Sequence, residues 1–144
     1  MRTIKIRQYQ PTDLPFMVSM WQEADRPAFT ECQIEKLLAS SGGVLIAADE
    51  TDDTPVGTVL WSHNGYRAYV WRLVVDHQSR NQGIASQLLA AVETEVFAAG
   101  FEKLALLLLD DNEPAKSLYT KLGWKHAKDV QYWYKNIEED PAKC

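Results

Sequence analysis

A short segment near the middle of the chain has the residue types of a phosphate-binding loop. Arg80, Gly83 and the small Ala85 lie where a helix begins. A helix N-terminus presents unpaired backbone N–H groups and a partial positive charge, so phosphate oxygens can bind there, and Arg80 adds a fixed charge. The spaced glycines of a dinucleotide site and the Gly-Lys-Ser/Thr of a Walker loop are absent. Residues 80–85, the cradle, are predicted to hold a diphosphate, with an ordinary helix start as the alternative.

A second pair of candidates lies on a later predicted helix. Asn112 and Tyr119 are two helical turns apart, with Ala115 between them on the same side. They follow the next predicted strand, and ligands usually bind at the C-terminal ends of adjacent parallel strands. Two simpler interpretations remain open: Tyr119 can be a core aromatic, and Asn112 can be a helix cap.

The N-terminal elements that would position these residues follow from hydrophobic patterns. Alternation over residues 3–9 predicts a strand, which Pro11 ends. Apolar residues then recur every three or four positions, after a cap at Thr12 or Asp13 and again from about Thr30, so two amphipathic helices are expected. Their inward-facing residues are Leu14, Met17, Val18 and Trp21 in the first helix and Ile34, Leu37 and Leu38 in the second.

The central patterns predict the rest of a sheet. Residues 44–48 and 56–62 form a hairpin, and residues 69–75, apolar at nearly every position, form a strand covered on both faces. Residues 82–100 carry apolar side chains four apart and predict the clearest helix. The short apolar run 104–109 predicts a buried strand that completes a right-handed βαβ unit.

The C-terminal patterns predict one more helix and one more hairpin. The helix covers residues 115–122, and the hairpin strands cover 124–126 and 130–135, where Tyr132 and Tyr134 alternate with other residues. The predicted fold class is therefore α/β (α+β), a single domain over residues 1–144 with a mixed sheet of about six to seven strands and about four helices.

Composition excludes several classes of protein. A chain of 144 residues with 46% hydrophobic residues fits one folded domain. With 15 basic against 20 acidic residues, a net charge of −5 and no basic run, nucleic acid is not an expected partner. Two cysteines are too few for a disulfide framework or a metal centre. The N-terminus lacks a signal peptide and no stretch is apolar enough to span a bilayer, so a cytoplasmic protein without a membrane partner is expected.

Taken in order, these segments resemble the GNAT superfamily, the acyl-CoA-dependent N-acyltransferases, over nearly the whole chain. The most specific parts are residues 74–89 (VVDHQSRNQGIASQLL) and 112–124 (NEPAKSLYTKLGW). The resemblance implies acetyl-CoA as co-substrate, no metal, and direct transfer in a ternary complex to a primary amine on a small molecule or a peptide. It also implies that the fourth and fifth predicted strands, residues 69–75 and 104–109, splay apart, opened by a bulge in the central strand at 69–75.

The resemblance also implies roles for individual residues. The pyrophosphate would be held by backbone amides of the cradle, at Arg80, Asn81, Gln82, Gly83, Ile84 and Ala85. The pantetheine arm would pair with the main chain of Leu73, Val74 and Val75, and Asn112 would contact the same arm. Tyr119 would lie near the thioester sulfur and act as the general acid.

Three positions depart from the family pattern. His77 stands where the family usually has Pro, and Asn81 where it usually has Gly. Neither change blocks binding through backbone amides, although Asn adopts unusual dihedral angles less freely than Gly. Leu107 stands where members that acetylate ribosomal-protein N-termini carry a glutamate base, so that substrate class is not expected.

The general base and the acceptor are less defined by the sequence. Base candidates are Glu23, Glu31, His63 and Asp76, each of which can instead be a solvated or turn residue. The net charge, with Glu23, Asp25 and Glu31, favours a small cationic amine as acceptor. Four aromatic residues could line an acceptor pocket or belong to the core, namely Trp21, Trp61, Tyr69 and Trp71.

Two functions of other classes remain as alternatives. One is a non-catalytic acyl-CoA-binding or sensor module on the same fold, and the other is a nucleotide-binding α/β protein. The oligomeric state stays open, with a homodimer as one option.

Overall fold

The computed structural model describes residues 2–40 and 42–137, and the chain divides into two compact units, residues 1–107 and 108–144. The first unit contains all the strands of the described part and three of its α-helices; the second contains the remaining α-helix. The elements in chain order are β1 (Ile4–Gln8), α1 (Leu14–Glu23), α2 (Glu31–Ser40), β2 (Gly42–Asp49), β3 (Pro55–His63), β4 (Ala68–Val75), α3 (Ile84–Ala98), β5 (Leu104–Leu106) and α4 (Glu113–Lys121).

The five strands form one mixed sheet in the order β1-β2-β3-β4-β5. β1, β2, β3 and β4 pair with one another antiparallel, and β4 pairs with β5 in parallel. Because α3 makes the crossover between β4 and β5, the predicted βαβ unit is confirmed. The mixed α/β class and the predicted helices are also confirmed, and Thr30 begins α2 as expected, since its hydroxyl accepts a hydrogen bond from the Gln33 N–H at 3.2 Å.

The core lies between the sheet and the predicted apolar faces of the helices. Met17, Trp21 and Ile34 are fully buried in one cluster, with Leu37 packed against it. Leu38 was expected to face inward, but its side chain is 43% exposed, because the helix turns it away from that stripe. In α3 the buried positions keep the predicted spacing, at Ile84, Leu88, Leu89, Val92 and Val96.

Asp13 does not cap α1 in the expected way. Its carboxylate is buried, accepts two hydrogen bonds of 2.8 Å from the Arg7 guanidinium and accepts a third from the Gln10 N–H. This paired charge raises the pKa of Arg7 above its ordinary value. Asp13 therefore joins β1 to the turn that begins α1, rather than satisfying an amide of the helix itself.

We expect Asp13→Ala to lower the free energy of unfolding by about 3 kcal/mol, because it removes the buried partner of the Arg7 guanidinium and leaves only the more exposed Asp53, 2.8 Å from Arg7 Nε. Urea unfolding followed by circular dichroism measures this change. Glu50→Ala removes an exposed carboxylate after β2 and is the matched control, with an expected effect below about 0.5 kcal/mol. Equal midpoints for the two variants would contradict a stabilising role of the Arg7–Asp13 pair.

The strand predicted at residues 104–109 is shorter than expected. β5 ends at Leu106, and the side chain of Leu107 is 48% exposed. The β4–β5 pairing stops at Val70 and Leu106, just before an irregularity in β4 at Arg72. A bulge disrupts the ladder of a strand, so the irregularity limits how far β4 can pair with this run.

The prediction of a final hairpin is wrong for the described residues, and so is the count of six to seven strands. Residues 124–137 contain no strand. The alternation there put Tyr132 and Tyr134 on one face and Trp133 on the other, so no single face was marked for burial. The side chains of Tyr132 and Trp133 are 69% and 81% exposed.

Among the described residues, no helix is both long enough and apolar enough to cross a bilayer. Cys144, one of the two cysteines, lies outside the described part of the chain.

Candidate functional site

One edge of β4 is left without a neighbouring strand. Parallel pairing joins Ala68, Tyr69 and Val70 to β5, whereas β4 continues to Val75. Beyond Val70, no described strand pairs with β4 on that side, although β3 pairs with Val74 and Val75 on the other. An extended ligand can add to such an edge through main-chain hydrogen bonds. The parallel pairing of β4 with β5 is confirmed, and the predicted splay of the two strands stays a prediction.

The predicted bulge in the central strand is present. Leu60 pairs with Trp71 and Thr58 with Val74, so two residues of β4, Arg72 and Leu73, face one residue of β3. Arg72 has φ +51°, a left-handed conformation that is uncommon outside glycine. Sequence reasoning missed Arg72, because no residue type in this apolar run indicates a bulge.

The loop after β4 is held by backbone and side-chain hydrogen bonds. The Asp76 N–H donates to the Val56 carbonyl at 2.7 Å, and the Ser79 N–H donates to the Asp76 carbonyl at 2.9 Å. Ser79 is buried, and the Arg80 Nε donates back to the Val75 carbonyl at 3.3 Å. The end of β4 and the start of the cradle are therefore fixed to each other.

The cradle has the backbone conformation of a binding loop. Asn81 and Gly83 have φ values of +63° and +77°. Asn81 thus adopts the left-handed conformation where the family usually has Gly. A Cβ on Gly83 would meet no atom within 4 Å, so open space lies beside the loop. Among the described residues, no side chain caps α3, so its first amides can bind oxygen atoms of a phosphate. These features fit the pyrophosphate of acetyl-CoA.

The other two predicted residues lie on α4 in the second unit. Asn112 caps the helix, since its Oδ1 accepts a hydrogen bond from the Ala115 N–H at 3.3 Å. The Tyr119 ring packs edge-on against Trp124, with ring centroids 5.3 Å apart. Its side chain is largely shielded from water, and burial raises the pKa of the Tyr119 hydroxyl. The capping interpretation of Asn112 is confirmed, and Tyr119 carries a phenol that stays protonated at neutral pH.

The chain is similar to known proteins in both sequence and fold. The model of the Acetyltransferase (GNAT) family matches residues 5–124. The chain belongs to the GNAT acetyltransferase family. The resemblance inferred from the two motifs is thereby confirmed.

Solved structures of low sequence identity share the fold of this GNAT chain. AAC(6')-Iy in complex with the bisubstrate analogue CoA-S-monomethyl-acetylneamine has a TM-score of 0.76 at 19% identity, covering 93% of this chain and 99% of that one. Glucosamine-6-phosphate N-acetyltransferase from Arabidopsis thaliana has a TM-score of 0.74 at 16% identity, covering 94% of this chain and 99% of that one. A transcriptional regulator from Bacillus halodurans C-125 has a TM-score of 0.76 at 18% identity, covering 92% of this chain and 100% of that one. At these identities the similarity concerns the fold alone.

Several base candidates of this GNAT chain have structural contacts. The Glu23 carboxylate accepts a hydrogen bond from the His77 N–H at 3.2 Å, which joins the end of α1 to the loop before the cradle. The His63 Nδ1 accepts the Gly65 N–H at 3.0 Å, so the ring proton of the neutral form lies on Nε2. Glu31 is exposed at the start of α2, and Asp76 directly follows β4.

The four aromatic residues divide into two groups. Trp21 and Trp61 are buried in the core, and the Trp61 indole donates a hydrogen bond to Glu95. Tyr69 and Trp71 are half-buried on β4 with ring centroids 5.9 Å apart. A role in lining a pocket therefore remains only for the second pair. Within the described residues, no group of three or more His, Cys, Asp or Glu side chains could hold a metal ion.

Proposed function

We propose that residues 1–144 form a single, cytoplasmic N-acetyltransferase domain that transfers the acetyl group of acetyl-CoA directly to a primary amine. Acetyl-CoA, when bound, supplies an electrophilic thioester and a thiolate leaving group. The main chain of Leu73, Val74 and Val75 would pair with its pantetheine arm, and Asn112 would contact that arm. The amides of the cradle would hold the pyrophosphate, at Arg80, Asn81, Gln82, Gly83, Ile84 and Ala85.

The observation that carries this proposal is the continuity of the β4 edge with the cradle. The unpaired edge ends at Val75, and the hydrogen bond from Arg80 to the Val75 carbonyl joins that end to the cradle. A ligand with a long amide-containing arm and a diphosphate matches this arrangement, because the arm needs an extended edge and the diphosphate needs free amides. A nucleotide without such an arm would leave the β4 edge unused.

Tyr119 is the general acid of the proposal. The amine nitrogen forms a bond to the thioester carbonyl carbon, the carbon–sulfur bond breaks, and Tyr119 donates its hydroxyl proton to the departing sulfur. The bonded nitrogen then loses one proton to solvent, and solvent returns a proton to the Tyr119 phenolate. A thiol has a pKa of about 8.5 and a tyrosine about 10, so the phenol is protonated near neutral pH when charge develops on sulfur. An ordinary alkylamine has a pKa of about 10.4 and must lose a proton before attack, to solvent or to one of the base candidates.

A turnover screen tests the proposed function. Acetyl-CoA is incubated with polyamines, amino acids, aminoglycosides and peptide amines, and release of the free thiol is recorded. We expect thiol release that depends on one class of amine and on the folded enzyme. Calorimetry with acetyl-CoA and with ATP serves as a parallel binding test, in which only acetyl-CoA is expected to bind.

Other outcomes identify the alternatives. Binding of acetyl-CoA without turnover of any amine would favour a non-catalytic acyl-CoA-binding module. Preferential binding of ATP would favour a nucleotide-binding protein and would exclude the acetyltransferase.

A further inference from the structure

The guanidinium of Arg72 is held in place by the connection between α1 and α2. Its Nε donates a hydrogen bond to the Pro27 carbonyl at 3.3 Å, and its Cζ lies 5.2 Å from the centroid of the Phe29 ring. The side chain is half-buried. These contacts use one nitrogen and one face of the guanidinium, so both terminal nitrogens keep their N–H donors for another partner.

That partner is not a carboxylate of the described residues. Among them, neither Arg72 nor Arg26 has an acidic group within the 4 Å of an ion pair. Arg26 is also half-buried, and its charge adds to burial in lowering the pKa of Arg72. Arg26 directly precedes Pro27, whose carbonyl accepts the Arg72 hydrogen bond, so the two positive charges lie on segments that touch, and an anion bound by both would offset their repulsion.

Arg72 carries this charge on the strand that the proposed function assigns to acetyl-CoA. Arg72 directly precedes Leu73, the first residue proposed to pair with the pantetheine arm, and it occupies the bulge that opens β4. The α1–α2 connection is thereby attached to the strand on which acetyl-CoA would lie.

We propose that Arg72, together with Arg26, binds an anionic group on the amine acceptor, so that the acceptor is an amine that also carries a carboxylate or a phosphate. This inference rests on the proposed function. A guanidinium with free terminal N–H groups matches both anions, since it binds two of their oxygen atoms at once. A purely cationic acceptor, which the net charge favoured, would instead be repelled by these two arginines.

The local acidic residues do not reverse this conclusion. The carboxylate of Glu23 already accepts the His77 N–H, and Glu31 and Asp25 are exposed. Exposed charges are screened over about 8–10 Å at physiological ionic strength, whereas partly buried charges are screened much less. Arg72 and Arg26 therefore have more influence on a ligand bound at β4 than the net charge of the whole chain.

Paired acceptors test the proposal. An amino acid is compared with its carboxamide, and an aminoalkyl phosphate with the corresponding amino alcohol, so that each pair differs only in the anionic group and the two pairs distinguish carboxylate from phosphate. We expect kcat/KM to be about 10- to 100-fold higher for the anionic member of at least one pair, the range of a hydrogen bond to a charged group.

Arg72→Gln and Arg26→Gln then identify the residues responsible. Arg72→Gln is expected to raise the KM of the anionic acceptor about 10- to 100-fold, with the KM of acetyl-CoA unchanged. Arg72→Lys keeps the charge without the two-nitrogen geometry and should give an intermediate KM. Arg67→Gln is the matched control, because Arg67 is half-buried, lies 5.4 Å from the Tyr66 ring and is located at the opposite end of β4. Thermal unfolding verifies that every variant is folded.

Three results would overturn the inference. Equal kcat/KM for both members of each pair would mean that no anionic group is recognised. An increase in the KM of acetyl-CoA alone in Arg72→Gln would assign this arginine to the co-substrate. Absence of turnover with every amine would reject the proposed function and this inference together, whereas turnover that ignores the anionic group would reject only the inference.

Discussion

Tyr119→Phe is expected to lower kcat by about 10²- to 10⁴-fold, the usual effect of losing a general acid. Phenylalanine keeps the ring that packs against Trp124 and removes only the hydroxyl. The stability of the protein and its affinity for acetyl-CoA should therefore change little. Steady-state kinetics with the acceptor found in the screen, together with calorimetry for acetyl-CoA, measures both quantities.

Whether Tyr119→Phe changes kcat, acetyl-CoA affinity or neither distinguishes three roles for Tyr119. A loss confined to kcat supports the general acid. An unchanged kcat would make Tyr119 a packing residue only, and a loss of acetyl-CoA affinity alone would make it a contact of the pantetheine arm. Tyr132→Phe, in the exposed C-terminal segment, removes the same hydroxyl elsewhere and is the matched control.

The pH profile of kcat gives an independent test of the same assignment. Burial raises the pKa of Tyr119 from its ordinary value near 10. The acid form therefore remains available throughout the neutral range, and the alkaline decrease in kcat caused by Tyr119 should occur above about pH 10. A decrease centred well below that pH and lost in Tyr119→Phe would contradict the raised pKa.

Gly83→Val is expected to weaken acetyl-CoA binding about 10- to 100-fold, comparable to the loss of a hydrogen bond to a charged group. The added side chain would project into the open space beside the cradle, where the pyrophosphate is proposed to bind. Calorimetry on the folded variant measures the affinity. An unchanged affinity would remove the cradle from the proposed function.

The same substitution also strains the backbone, so a matched control is required. Gly100 follows α3 with φ +97° and likewise has no atom within 4 Å of an added Cβ. Gly100→Val should therefore cost a similar free energy of unfolding, of about 1–2 kcal/mol, without reducing acetyl-CoA affinity. Equal losses of affinity in both variants would indicate a general effect of destabilisation rather than a local one.

Most of the fold was predictable where the apolar pattern distinguishes an inside from an outside. The four-residue spacing in α3 and the alternation in β1 each mark one face for burial, and the structure buries the marked α3 residues Ile84, Leu88 and Val92. The final hairpin failed because Tyr132, Trp133 and Tyr134 placed large aromatic groups on both faces. A pattern without contrast between faces predicts a strand but gives no reason for its burial.

The candidate site was predictable only in part for a similar reason. Gly83 indicated the cradle because glycine is favoured at a positive φ next to a ligand. Arg72 adopts a positive φ with a residue type that rarely does so, and its contacts with Pro27 and Phe29 join segments far apart in sequence. No local pattern contains such information, since the bulge arises from the register between β3 and β4.

The order of the strands has a consequence for how the sheet assembles. β2, β3 and β4 are joined by short turns and can pair through contacts that are local in sequence. β5 can pair with β4 only after the chain has passed through the whole of α3, and the pairing covers just Ala68–Val70 with Leu104–Leu106. Closing that longer loop costs more conformational entropy for fewer hydrogen bonds. We therefore expect the parallel pair, which ends where the proposed binding edge begins, to form late in folding.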